Sequence, residues 1–263
     1  MIRNRPAIAV LGALLLAGSL SACGGDAAGQ SGDALTDVTY VNDGVLTVCS
    51  DVPYEPFEYK QNGEFVGFDV DLVKQMAKDW EVKWEIVDSS FDDISDGTSL
   101  NEEVCDVAVS AMTITGARSR VVDFSSPYFD AGQVMITPKG SGITTLDGLA
   151  DMRVGVQADT TGETYLRDFA PDTAKIVSYD DSVDLQASVL SGEVDAIVLD
   201  NTISGPVIEQ NPDLRLATSF ETGEQYGMAV RKEGNIPLLR AINDALTKLR
   251  EDGRYDKIYN TYF

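Results

Sequence analysis

From Val45 onward, short apolar runs alternate with stretches whose apolar residues recur every three or four positions. Residues 45–49 form an apolar run of strand length. In residues 69–77, Leu72, Val73 and Met76 fall on one face of a helix. Residues 82–87 and 104–110 read as two further strands. The rhythm then repeats. Strands are predicted over 134–137, 154–157, 176–179 and 196–199, with a turn element at 146–148. Helices are predicted over 161–169, 182–191 and 202–210, the last interrupted by Gly205-Pro206. A strand over 226–231 and an amphipathic helix over 237–250 complete the pattern. Strands alternating with helices predict mostly parallel sheets covered on both faces, and two α/β lobes account for the series better than one large sheet. Such sheets bind ligands beyond the carboxyl ends of their strands, so two facing lobes would trap a ligand in the cleft between them.

The N-terminus carries a different signal. Arg3 and Arg5 precede an apolar run over 7–16, which is shorter than a membrane span and of the length found in secretory leaders. Leu20-Ser21-Ala22-Cys23 then resembles a bacterial lipobox, in which the cysteine becomes the lipidated first residue. The plainer reading is an ordinary leader cleaved after Ser21-Ala22. Leu20, three positions before Cys23, favours lipidation and so anchorage to the outer side of a cell membrane. Residues 24–33 (GGDAAGQSGD) have the composition of a flexible tether. With residues 1–22 as leader and 23–36 as tether, Cys49 and Cys105 remain as a pair. Outside the cytoplasm they form either a disulfide or two small buried residues on neighbouring strands.

Composition narrows the chemistry. The chain has 263 residues, 43% hydrophobic and 24% charged, which are ordinary globular values. Its formal charge is −23, and loss of the leader removes two positive charges to leave −25. Nucleic-acid binding needs a basic footprint and is excluded on this ground. The chain has no histidine. That removes Ser-His-Asp and Cys-His nucleophilic catalysis and every His-ligated metal site. Asp51, Asp69, Asp71 and Asp200 are available for acid-base work, but no spacing singles out a flanking pair of the kind glycoside hydrolysis needs. Asp92, Asp96, Gly97 and Glu103 partly imitate a calcium loop, with Ile94 at a position where a ligand is required. No metal, cofactor or catalytic residue is assigned. Ser110-Ala-Met-Thr-Ile-Thr115 leaves a buried strand with hydroxyls at intervals, and Arg118 follows. Such a turn presents hydroxyls, backbone N–H groups and a guanidinium to one anion, or is simply a capped turn with a surface arginine.

An ordered series of motifs goes further. It runs through Asp51-Val-Pro-Tyr-Glu-Pro-Phe57, Gly67-Phe-Asp-Val-Asp-Leu72, the Ser110–Thr115 stretch with Arg118, Val122-Asp-Phe-Ser125 and Pro127-Tyr128. Val154-Gly-Val-Gln157, Thr160-Thr-Gly162, Tyr226-Gly-Met-Ala-Val-Arg-Lys232 and Asp252-Gly-Arg-Tyr-Asp-Lys-Ile-Tyr259 continue it. Together, over about residues 45–263, they resemble the family 3 solute-binding proteins of amino-acid ABC transporters. The resemblance implies a two-lobed, type II periplasmic-binding-protein-like α/β fold with two hinge strands and the ligand in the interlobe cleft. Lobe 1 would span 37–132 plus 229–263, lobe 2 would span 133–228, and the crossing strands would lie near 131–137 and 226–230.

By motif position, Arg118 would clamp a ligand α-carboxylate with Ser110, Thr113 and the backbone at Thr161, beside Ala111 and Thr160. Asp200 would hold the α-ammonium, Tyr54 and Phe91 would sandwich the ligand, and Asp51 would face its side chain. An anionic Asp51 suits a polar or basic L-amino acid such as glutamine, arginine, lysine or histidine; a capping role for Asp51 would remove that inference. The implied protein is a non-enzymatic, monomeric receptor that hands an amino acid to a permease. Its rivals are a cyclohexadienyl-type dehydratase on the same fold and a sensor domain with a separate signalling partner. Two departures from the family pattern stand out: Asp159 replaces a frequent glycine, and the segment between Phe91 and Cys105 is about two residues longer.

Overall fold

A computed structural model describes Leu35 and residues 37–263. The leader, Cys23 and the tether apart from Leu35 lie outside the described residues. The first half begins with β1 (Val45–Ser50), then the hairpin β2 (Tyr59–Gln61) and β3 (Glu64–Val66), α1 (Phe68–Asp79) and β4 (Lys83–Asp88). The short helices α2 (Phe91–Ser95) and α3 (Thr98–Asn101), β5 (Val107–Ala108) and β6 (Val122–Phe124) follow. The chain then crosses into β7 (Phe129–Pro138), β8 (Arg153–Gln157), α4 (Thr161–Phe169), β9 (Lys175–Tyr179), α5 (Ser182–Ser191), β10 (Ala196–Asp200), α6 (Asn201–Gln210) and β11 (Leu214–Tyr226). It returns through β12 (Ala229–Arg231) to α7 (Ile236–Glu251) and α8 (Arg254–Tyr262).

Two five-stranded sheets result, ordered β4-β1-β5-β12-β6 and β11-β7-β10-β8-β9. β1 runs parallel to β4 and β5, and β8 runs parallel to β9 and β10. This explains the near-continuous apolar reading of β1 and β10, which are covered on both faces and buried at nearly every position. Helix caps explain where the helices begin. Thr160 accepts from the Glu163 N–H, Asp181 from those of Val183 and Asp184, and Asn235 from that of Leu238. In α7, Leu238, Ala241, Ile242, Ala245, Leu246 and Leu249 are buried on one face, as the period demands.

The hinge is the antiparallel pair β7–β11, where Phe129 faces Tyr226, Asp130 faces Gln225 and Ala131 faces Glu224. Beneath it, the Phe57 ring meets Phe129 at 5.1 Å and Tyr226 at 5.4 Å, both edge to face. Such pairs add about 0.5–1.5 kcal/mol each beyond area burial, so the crossing is anchored to the β1-containing sheet.

Several elements differ from the sequence expectation. The strand expected over 104–110 shrinks to Val107–Ala108, because the chain turns at once toward the cleft. The strand expected over 226–231 is split. Tyr226 ends β11 in one sheet and Ala229 opens β12 in the other. Gly227 lies at the break, where a Cβ would stand 2.8 Å from the Ile114 side chain. β7 extends well beyond 134–137 because the thirteen-residue β11 pairs along its length. Helix α6 runs through Pro206, held by the buried side chains of Ile203 and Val207. The β2–β3 hairpin, α2, α3, α8 and β11 were not anticipated. Asn62 and Gly63, with φ of 54° and 86°, make the β2–β3 turn. Residues 92–103 fold mainly as α2 and α3. Cys49 and Cys105 are joined by a disulfide.

Gly67 carries a testable consequence. Its φ is 132°, and a Cβ there would lie 2.0 Å from the Phe57 carbonyl oxygen. That carbonyl accepts the Asp69 N–H at 3.1 Å and so fixes the start of α1. Gly67→Ala is expected to destabilise the fold by at least about 2 kcal/mol. A thermal melt checks this, and an unchanged melting temperature would contradict it.

Candidate functional site

The strand ends converge as parallel-sheet physics requires. Asp51 and Tyr54 follow β1, Phe91 opens α2 after β4, and Ser110, Ala111, Thr113 and Arg118 follow β5. From the facing lobe, Thr160 and Thr161 open α4 after β8, and Asp200 ends β10. All ten line one cavity, together with Gln157 from the end of β8. Gln157 closes the Val154–Gln157 motif, and only the fold shows that it lines the cavity.

Arg118 is 7% exposed and is the only cation among the described cavity-lining residues. Its Nη1 donates to the Thr113 carbonyl at 2.9 Å, and its Nη2 donates to the Asp159 carbonyl of the other lobe at 2.9 Å. The guanidinium also lies 5.1 Å from the centre of the Phe91 ring, a cation–π distance. Burial pulls its pKa down, while Asp200, Glu224 and Asp159 oppose that pull. The Asp159 turn forms with φ of 58°, so the aspartate takes the left-handed conformation that a glycine would otherwise supply.

Asp200 lies at the N-terminus of α6, yet its side chain makes no cap bond to the helix. It accepts instead from Gln133 Nε2 at 2.6 Å and from the Tyr226 hydroxyl. Burial pushes its pKa up to about 6, and the hydrogen bond from Tyr226 works against that rise. Asp51 accepts from Gln157 Nε2 at 2.8 Å, a bond between the lobes. Its pKa also rises to about 6. Burial is the main cause, the Gln157 bond opposes it, and the charges acting on it from Asp88, Asp181 and Asp92 are all negative. Among the described residues no backbone N–H donates to the Asp51 carboxylate, so it does not cap a loop.

The hydroxyls are already engaged. Ser110 Oγ donates to Glu58 at 2.7 Å and accepts the Asp51 N–H at 3.0 Å, so its proton points away from the cavity. Thr113 Oγ1 and Thr161 Oγ1 both donate to Glu224 Oε2, at 2.8 and 2.7 Å. Glu224 was missed by sequence reasoning. It reaches the cleft from the hinge strand β11 and ties one hydroxyl of each lobe to the crossing. Gln133 was missed as well. It is fully buried, and its Nε2 donates to Asp200, Thr161 and Glu224. Its place directly before the apolar run over 134–137 was its only signal. Gly162 makes room for it, since a Cβ there would stand 2.8 Å from Gln133 Oε1. Ser182 Oγ, donating to the Pro53 carbonyl at 3.0 Å, adds a further bond between the lobes.

The cavity therefore sets one guanidinium against two carboxylates, Asp200 buried and Asp51 half-buried, with aromatic rings on one wall. Opposite charges at fixed separation match a zwitterion, and desolvated charges discriminate because each demands a partner.

The comparisons agree with this geometry. A model of the bacterial extracellular solute-binding proteins, family 3, matches residues 46–263. The chain is 36% identical to a probable histidine-binding protein of Neisseria gonorrhoeae over 253 residues, covering 93% of this chain and 91% of the relative. It is 32% identical to an ABC transporter glutamine-binding protein of Bacillus subtilis over 254 residues, covering 92% and 91%. Among solved structures, an ancestral arginine-binding protein bound to arginine superposes with a TM-score of 0.79 at 40% identity, covering 84% of this chain and 98% of that one. With its two lobes, two hinge strands and cleft between facing strand ends, the chain belongs to the bacterial extracellular solute-binding proteins of family 3.

Proposed function

We propose that this protein is a receptor for a basic L-amino acid, with arginine as the preferred ligand, and that it hands the ligand to an ABC-transporter permease without altering it. Lipidation at Cys23 anchors it outside the cell membrane as a monomer, with lobe 1 over 37–132 plus 229–263 and lobe 2 over 133–228. Arg118 takes the α-carboxylate, with Thr113 and the Thr161 N–H beside it. Asp200 takes the α-ammonium, and Tyr54 and Phe91 flank the ligand's stem. The observation that carries the choice of ligand is the Asp51 carboxylate in the cavity wall, with the negative charges of Asp88, Asp181 and Asp92 acting on it. A guanidinium or ammonium offsets those charges, whereas a carboxylate side chain adds to them. Ligand contacts made to both lobes at once favour the closed arrangement over an open one.

The test is ligand-dependent thermal stability of the full chain in mild detergent, unfolded and refolded to strip bound ligand, against each L-amino acid in turn. A ligand at 100 times its Kd adds about 2.7 kcal/mol. The largest shift is expected with arginine, a smaller one with glutamine and none with glutamate. A shift with a prephenate-like cyclic acid, accompanied by its conversion, would replace this reading with the dehydratase one.

A further inference from the structure

Four aliphatic hydroxyls line the cavity, on Ser110, Thr113, Thr160 and Thr161. A hydroxyl has one proton to donate and two lone pairs with which to accept. All four protons are committed within the protein. Ser110 Oγ donates to Glu58, Thr160 Oγ1 donates to the Gln157 carbonyl at 2.8 Å, and Thr113 and Thr161 both donate to Glu224. Three of the four hydroxyls also accept a bond: Ser110 from the Asp51 N–H, Thr160 from the Glu163 N–H and Thr161 from Gln133. Thr113 Oγ1 accepts none from the described residues, although Thr113 is only 4% exposed. Its acceptor capacity is left for what enters the cavity.

Glu224 is not itself among the described cavity-lining residues. It stands behind them on β11, half-buried, and four side chains donate to its two oxygens. Thr113 and Thr161 reach Oε2, Thr222 reaches Oε1 at 2.7 Å, and Gln133 Nε2 lies 3.2 and 3.3 Å from the two. Oxygens so filled with donors leave no place for a proton of their own. Glu224 therefore only accepts, and each threonine must be the donor. Its carboxylate thus sets the hydrogen-bond polarity of this part of the wall. The Gln133 nitrogen that meets Glu224 also donates to Asp200 at 2.6 Å, so Thr113, Thr161 and Asp200 belong to one connected network of acceptors. We propose that Glu224 is the residue through which the site selects for an α-amino group: it takes the Thr113 proton and leaves that hydroxyl able only to accept a ligand N–H. A ligand without that N–H leaves the acceptor unpaired in a closed cavity, and such a loss discriminates strongly between analogues. A ligand carboxylate gains nothing from the hydroxyl and is left to Arg118 and backbone N–H groups. Glu224 acts through Thr113 and is a positioning residue.

The proposal rests on the amino-acid-receptor reading. Its test is titration calorimetry on the full chain in mild detergent, refolded to strip bound ligand. The probes are L-arginine and L-glutamine, each beside its des-amino analogue, in which hydrogen replaces the α-amino group. The quantity read is the preference for the amino acid over its analogue, because a merely structural loss weakens both and leaves the preference unchanged. In Glu224→Ala the preference should fall about 10-fold, the scale of one hydrogen bond to a charged group. Glu224→Leu fills the same space without an acceptor and should show the same fall, which keeps the test decisive if Glu224→Ala does not fold. Glu224→Gln retains an oxygen for the two threonines and an amide that can donate to Thr222, so its preference should stay within about 3-fold of wild type. Thr113→Val should lose as much as Glu224→Ala, and the double variant no more than either alone, since both remove one interaction. Equal weakening of amino acid and analogue in Glu224→Ala or Glu224→Leu, a fall in Glu224→Gln as large as in those variants, or additive losses in the double variant would each overturn the proposal. If the wild type binds neither amino acid, the receptor reading fails and the proposal falls with it; if it binds one with an unchanged preference in Glu224→Ala, the proposal alone fails.

Discussion

Arg118→Ala is expected to weaken arginine binding by about 30-fold at the least, because removing one partner of a desolvated, hydrogen-bonded charge pair costs about 2–5 kcal/mol. The guanidinium is the only cation among the described cavity-lining residues, so a ligand carboxylate loses its counter-charge entirely. It also joins the Thr113 carbonyl of one lobe to the Asp159 carbonyl of the other, so the closed arrangement loses a bond as well. Arg118→Lys keeps the charge but not the planar fork and should fall between wild type and Ala. Isothermal titration measures the three constants. A change of less than about 3-fold in Arg118→Ala would place the carboxylate elsewhere, since even one good charge-assisted hydrogen bond exceeds that.

Acidification should weaken arginine binding and stabilise the ligand-free fold, two opposite trends from the same carboxylates. Asp51 and Asp200 have pKa values of about 6 in the free protein, both raised chiefly by burial. A bound cation favours their ionised forms and pulls those values down, so binding at lower pH must first expel protons. Between about pH 7.5 and about pH 5 the affinity should fall roughly 10-fold for each group, or ~100-fold in all. For the free fold the sign reverses. A carboxyl group whose pKa is higher folded than unfolded contributes stability at low pH and loses it as pH rises through about 6. Titration calorimetry across this range, with Asp51→Asn beside the wild type, checks both claims. Asp51→Asn should show about half the logarithmic fall. Because the chain has no histidine, an equal fall in Asp51→Asn and wild type would leave Asp200 alone as the titrating group and remove Asp51 from the ligand.

Much of the receptor was legible in the chain because its signals are local. The apolar runs that became β1 and β10 read as buried strands, and the three-to-four spacing in α7 read as one buried face. Arg118 and Asp51 were accessible through motifs whose residues lie close together in sequence, and Asp200 through its place at the end of the apolar run over 196–199. Glu224 was not, because its meaning comes from pairing across the β7–β11 register, which brings it to Thr113, 111 residues earlier. The strand break at Gly227 was hidden for a similar reason, since nothing in a continuous apolar run shows that it serves two different sheets.

The sequence by itself determined the alternation of strands and helices, the acidic histidine-free chemistry and the residue types at the strand ends. These follow from periodicity and composition, which any short window carries. Only the tertiary structure decided that Cys49 meets Cys105, that Ser110 turns its proton toward Glu58, and that Glu58 and Asp69 are buried behind the same wall. Side-chain pairing across elements depends on how sheets, hinge and helices pack, and the energy of a buried charge depends on neighbours that are distant along the chain.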